Sequence, residues 1–134
     1  MISFNSNLLI LQADDGLPHL LASRCELCGK IYFPQQKLCI DCFREGTMKV
    51  HLLSCKGKIY SFTVVERETL APKGFRVPYA YGYIDFPEGV RVLSKIIGWN
   101  PETLKIDAPV EMVIEEIRQN ETGEKIMGFR FRVI

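Results

Sequence analysis

Beyond Gly57, apolar and polar positions alternate along most of the chain with the two-residue period of half-buried β-strands. "KIYSFTVVE" is rich in β-branched and aromatic residues. Its alternation puts Tyr60, Phe62 and Val64 on one face and Ile59, Ser61, Thr63 and Val65 on the other. "PYAYGYIDF" continues in kind, with Pro78 at its start, where a missing N–H does least harm. "FPEGV" reads as a hairpin turn and "VRVLSKIIGW" as the returning strand. "NPETLKIDAP" offers Asn100 as an N-cap and Pro101 at a first helical position, which predicts one short helical turn. "VEMVIEEIRQ" and "KIMGFRFRVI" follow, joined at "NETGE". In the last segment Phe129, Phe131 and Val133 face one way, Arg130 and Arg132 the other. Five strands with a helical turn between the third and fourth match an OB-type barrel over residues 56–134, an order that other small barrels share. Phe62, Phe129 and Phe131 are its expected core.

The first third lacks this regularity. Residues 1–19 read as a lead-in segment, and "LPHLLASR" suits a strand or a helix equally. Residues 20–55 hold a different signal. "RCELCGKIYFPQQKLCIDC" places Cys25/Cys28 and Cys39/Cys42 as two C-x-x-C pairs separated by ten residues. Such a pair wraps one ion with two thiolates and the intervening N–H groups, and two pairs complete a tetrahedron of sulfurs. Gly29 follows the first pair and permits the positive φ that a tight knuckle needs. The spacer is shorter than the usual fifteen to twenty residues but spans a small hairpin. A redox motif would be one pair, and independent buried cysteines would not repeat one spacing twice. The expectation is a structural metal site, with zinc first because it suits four thiolates and is redox-inert. Iron in a rubredoxin-like site uses the same ligands. Four sulfurs leave no open position for a substrate water.

Composition changes this picture little. At 134 residues, 47% hydrophobic and 25% charged, the chain has the make-up of an ordinary folded domain. A formal charge of +1 gives no reason to expect nucleic acid as a partner. No apolar run approaches the length of a membrane span, and "MISFNSNLLILQADD" lacks a positive n-region. The expected compartment is the cytoplasm, where thiols stay reduced. The fifth cysteine, Cys55, reads as a small buried hydrophobe. As a nucleophile it would need a base, and His51 stands about 13 Å away in extended chain. Neither His19 nor His51 sits in a recognisable catalytic motif, so each reads as a surface or packing residue. No catalytic residue is assigned.

Taken in order, the ribbon "RCELCGKIYFPQQKLCIDC", then "GKIYSFTVV", then "VPYAYGYIDFPEGVRVLSKIIG" resemble a family of acyl-CoA-associated proteins that join a rubredoxin-like zinc ribbon to an OB-fold. The likeness runs from about Leu20 to the C-terminus. It implies a mainly β protein that serves as a small accessory subunit of thiolase-type, synthase-type or hydratase-type enzymes acting on CoA thioesters. The catalytic nucleophile would then belong to the partner. In the loop "RETLAPKGFRVPY", Arg67, Lys73 and Arg76 could pair with CoA phosphates, Gly74 could let backbone approach, and Phe75 could stack on adenine. An ordinary solvated loop would carry the same charges. Two other classes of function remain: a single-strand nucleic-acid module, for which Arg130 and Arg132 are the only hint on the sheet, and a rubredoxin-like electron carrier.

Overall fold

The computed structural model describes residues 1–72 and 76–134. Among the described residues ten strands follow one another: β1 (Ile2–Ser3), β2 (Leu9–Ile10), β3 (His19–Cys25), β4 (Ile31–Tyr32), β5 (Met48–Leu52), β6 (Lys56–Val65), β7 (Tyr79–Asp85), β8 (Arg91–Ile97), β9 (Pro109–Gln119) and β10 (Lys125–Val133). One 3₁₀ turn, Glu68–Leu70, precedes β7, and no α-helix occurs among the described residues.

Strands β6 to β10 close on themselves. The meander β6–β7–β8 is antiparallel; β10 joins β8 in parallel at Phe131↔Ile96; β9 pairs with both β10 and β6. This is the five-stranded barrel expected from the strand order, and the structure closes it with one parallel pair. Its turns are made by the expected residues. In "FPEGV", Gly89 takes φ +84° and Phe86 N–H donates to Val90 O. In "NETGE", the Asn120 carboxamide accepts from Thr122 and Glu124 N–H, and Gly123 has φ +84°. The predicted helical turn after Gly98 is a single capped turn: Asn100 Oδ1 accepts from Glu102 and Thr103 N–H, and Leu104 N–H reaches Asn100 O.

One face assignment fails. Ile59 pairs with Ile84 and Ser61 with Tyr83, so Tyr60 is an extra residue, a bulge in β6. Before the bulge Ile59 is fully buried; after it Phe62 and Val64 pack on the core, while Tyr60 is half exposed. A single inserted residue swaps the faces of everything on one side of it. Tyr60 instead lies beneath the Arg91 guanidinium, 3.3 Å from its ring centroid. Beside the bulge, β7 crosses so close to β6 that a Cβ at Gly82 would stand 2.0 Å from Ser61 O. Only glycine fits there.

Phe131 is completely buried, whereas Phe62 and Phe129 are half-buried at the margin of the core. The N-terminal segment is divided between the modules. β2 pairs with β3, the choice that "LPHLLASR" left open, while β1 adds in parallel to β10 and Phe4 packs against Phe129. Leu9, Leu20, Ala22 and Leu53 of the N-terminal part belong to the same buried cluster as Ile59, Val110 and Phe131. Ribbon and barrel share one core.

Candidate metal centre and the polar junction beside it

Cys25 ends β3, and β4 and β5 flank that strand on its two sides. The chain therefore leaves Cys25 into a short hairpin and returns through the second pair. The two knuckles repeat one geometry: Gly29 N–H donates to Cys25 O at 2.7 Å, and Phe43 N–H to Cys39 O at 2.8 Å. Both residues take positive φ, +77° for Gly29 and +51° for Phe43. The second knuckle thus holds a phenylalanine in the left-handed region, at a cost of roughly 1–2 kcal/mol.

These turns bring all four sulfurs within 4.8 Å of one another, with Cys25–Cys42 at 3.9 Å and Cys28–Cys39 at 3.6 Å. A tetrahedron with metal–sulfur bonds of ~2.3 Å has edges of about 3.8 Å, so the set is already sized for zinc or iron. Cys25 and Cys39 are fully buried, Cys28 is exposed. The Thr47 hydroxyl lies 3.5 Å from Cys25 Sγ, and the Tyr32 hydroxyl 3.5 Å from Cys39 Sγ while accepting Ile40 N–H. Neighbours of this kind orient and tune thiolates. The Thr47 hydroxyl and the Cys28 and Leu27 N–H groups hold the Cys25 thiol down at about 6. Cys42 is pushed up to about 12 by its hydrogen bond with Cys28 and by burial. Alone, the four thiols cannot all ionise; a divalent cation at their centre reverses that balance.

A second polar cluster lies where ribbon meets barrel. His19 is buried, with Nδ1 2.8 Å from Leu53 O and Nε2 2.6 Å from Asp15 Oδ2. Cys55 Sγ stands 3.7 Å from the same Nδ1. The distances resemble a nucleophile, base and orienting acid, and the histidine is His19 rather than the His51 weighed from sequence. The electrostatics do not. Burial opposes a charge on His19, but the Leu53 carbonyl and the Asp15 carboxylate outweigh it and raise the imidazole pKa. Both ring nitrogens face acceptors, so His19 is held as a donor and has no lone pair for the Cys55 proton. Burial, then Asp15 and Glu88, push the Cys55 thiol up as well. At pH 7, in metal-loaded native protein, iodoacetamide should alkylate Cys55 several-fold more slowly than an unstructured cysteine peptide, because only thiolate reacts. Faster alkylation would mean an activated nucleophile. On the other side of the junction, Glu88 accepts from Ser54 N–H at 2.7 Å and lies 3.3 Å from His51 Nε2.

The residues of the proposed CoA loop are less gathered. Lys73, Gly74 and Phe75 lie outside the described residues. Arg67 is exposed and precedes the 3₁₀ turn. Arg76 lines a cleft of about 840 Å³ with Phe62, Glu66, Lys95 and Trp99. Lys95, on β8, and Trp99, just after it, were not singled out from sequence; the one signal was that Trp99 is the chain's single tryptophan. No helix among the described residues is long and apolar enough to cross a membrane.

Comparison with known proteins agrees with this architecture. Residues 16–47 match the family described as "ChsH2, rubredoxin-like zinc ribbon domain", and residues 50–115 match "ChsH2, C-terminal OB-fold domain". The chain is 34% identical over 131 residues to a protein of Thauera aromatica named "Benzoylsuccinyl-CoA thiolase subunit BbsA", covering 98% of this chain and 88% of that one. It is 34% identical to a "DUF35 domain-containing scaffold protein" of Methanothermobacter thermautotrophicus, covering 85% and 86% of the two chains. Among solved structures, one described as "Ltp2-ChsH2(DUF35) aldolase" superposes with a TM-score of 0.70 at 22% identity, covering 86% of this chain and 84% of that one, which shows a shared fold.

Proposed function

The chain belongs to the ChsH2 family, in which a rubredoxin-like zinc ribbon precedes an OB-fold, and from that premise we propose that it is a non-catalytic accessory subunit of a thiolase-type acyl-CoA enzyme. The observation that carries the reading is the near end-to-end likeness to a protein named as a thiolase subunit. The junction chemistry supports it, since acyl transfer needs an activated nucleophile and burial pushes the Cys55 thiol up, away from thiolate.

In this reading Cys25, Cys28, Cys39 and Cys42 hold one structural zinc ion, which fixes the ribbon and takes no part in turnover. The ribbon docks the catalytic partner. Leu27, Ile40 and Phe43 project from the two knuckles, all exposed, and offer apolar anchors for that contact. The barrel covers the partner's substrate channel. Arg67, Lys73, Gly74, Phe75 and Arg76 would contact the CoA thioester, with Arg76 already beside Lys95 and Trp99. Covering the channel excludes water from a hydrolysable thioester.

The decisive experiment mixes this chain with its co-purifying catalytic subunit and follows thiolytic cleavage. The mixture should turn over, this chain alone should not, and the partner alone should be slower by roughly tenfold or more, the scale of a lost closing element. Arg76→Glu should raise KM for the thioester and leave metal content unchanged. Equal rates for the partner alone and the mixture would end the accessory-subunit reading. A red, redox-active protein would point instead to iron and electron transfer.

A further inference from the structure

The two arginines of β10 have different fates. Arg132 faces outward and pairs with Glu111 at 2.5 Å. Arg130 is mostly buried, its side chain 19% exposed. Its Nη1 donates to Phe129 O, the nearest carboxylate oxygen of Glu115 stands 3.7 Å from Nε, and that buried Nε has no hydrogen-bond partner among the described residues. A buried guanidinium donor without an acceptor is costly, and a native structure that keeps one calls for a partner such as a water, an ion or a ligand.

Arg130 lines a cleft of about 540 Å³ on the outside of the barrel. The cleft lies at a seam. β8 pairs with β10 only at Phe131 and Arg132, and further back β1 takes its place beside β10 at Ile126 and Met127. Phe4, Tyr81, Leu93, Ile117 and Phe129 supply most of the wall. Leu93 is 51% exposed and Ile117 39%, an unusual apolar display for the two strands that flank β10 in a small barrel. The charged groups that line it are Arg130 and Lys95, and no carboxylate lines it among the described residues.

We propose that this seam cleft is a binding site for a small organic carboxylate with an aromatic or short aliphatic body, held by Arg130. The apolar wall takes the body, and the carboxylate accepts from the guanidinium in the planar geometry that arginine offers. The volume is within the roughly 300–1,000 Å³ that small-molecule sites commonly have. The cleft adjoins the one at Arg76 and Trp99, with Tyr79 and Lys95 lining both, but it is centred on Arg130 and does not depend on the CoA reading.

The test uses the full-length metal-loaded chain and three probes of one shape: 4-phenylbutyrate, 4-phenylbutanamide and 4-phenylbutylamine. Titration calorimetry gives affinity, and amide chemical shifts give the location. The carboxylate should bind with shifts centred on Leu93–Lys95 and Gly128–Arg130, and the amide and amine should bind roughly ten- to hundredfold more weakly. Arg130→Met, which keeps the packing of the stem, should lose affinity by the same factor at unchanged melting temperature. Leu93→Trp, a change at an exposed position, should fill the cleft and block the carboxylate while the protein stays folded. Equal binding of the three probes, shifts located elsewhere, or no binding of 4-phenylbutyrate by wild type up to its solubility would overturn the assignment. Protection of the cleft by the catalytic subunit, with no competition from 4-phenylbutyrate, would make it a protein-docking face and overturn it equally.

Discussion

Cys39→Ser is expected to release the metal and unfold the tip of the ribbon. Cys39 is completely buried, its Sγ lies 3.6 Å from Cys28 Sγ, and the Tyr32 hydroxyl points to it. A serine oxygen is shorter, harder and far less acidic, so the tetrahedron loses a corner and the remaining thiols repel one another. Little else holds residues 26–47 together: a two-residue strand, one isolated bridge at Leu38↔Glu45, and two knuckles that presuppose the ion. Zinc binding to such modules is worth about 10 kcal/mol or more in isolated finger peptides, and that energy is folding energy. The loss should stop near Ser23 and Val50, because Leu20, Ala22 and Leu53 are seated in the core shared with the barrel. Elemental analysis should show zinc falling from one per chain to none. Trypsin should cut at Lys30, Lys37 and Arg44, while Trp99 fluorescence stays native. Full metal content in the variant would refute the ligand assignment.

Phe131→Ala should destabilise the barrel by roughly 3–5 kcal/mol, the usual cost of truncating a fully buried aromatic. Phe131 has no exposed surface, stacks edge-on against Phe86 at 5.6 Å and Phe129 at 6.1 Å, and stands at the closure, opposite Ile96 of β8 and Met112 of β9. Its loss opens a cavity at the point where the parallel pair closes the cylinder. The same change at Phe129, which is half-buried, should cost markedly less. Urea unfolding of the two variants with unchanged slope measures both. A shift of only a few tenths of a kcal/mol at Phe131 would mean that the β10 register is wrong.

Stability and pH are linked at the junction. His19 carries a raised pKa in the folded state, so its contribution to stability is full below about 6.5, the unfolded value, and is lost as pH rises through the folded one. Asp15, held low by Leu17 N–H and by His19, contributes in the opposite sense and is lost on acidification. The ribbon's seat on the barrel is therefore firmest where both are charged.

Much of this protein was written in short-range pattern. The repeated C-x-x-C spacing determined the four-sulfur cluster because a knuckle is a local turn whose sulfurs need only a few φ and ψ angles to converge. The turns at "FPEGV" and "NETGE" were legible because glycine and asparagine satisfy them within four residues. The alternation of Phe129, Arg130, Phe131 and Arg132 fixed the faces of β10 because the strand's period is two. What the tertiary structure alone decided depends on register between distant segments. The Tyr60 bulge turned the faces of β6, and nothing in "KIYSFTVV" marks it, since the extra residue exists only relative to β7. Pairing across more than a hundred residues placed β1 on β10 and left β2 on the ribbon. Cys55 met His19 rather than its near neighbour His51 because β3 and β5 run antiparallel beneath the barrel. Arg130 and Arg132 are equivalent in the sequence, yet closure of the barrel exposed one and sealed the other into the seam, because neighbours brought by the fold set burial and the sequence period sets only direction.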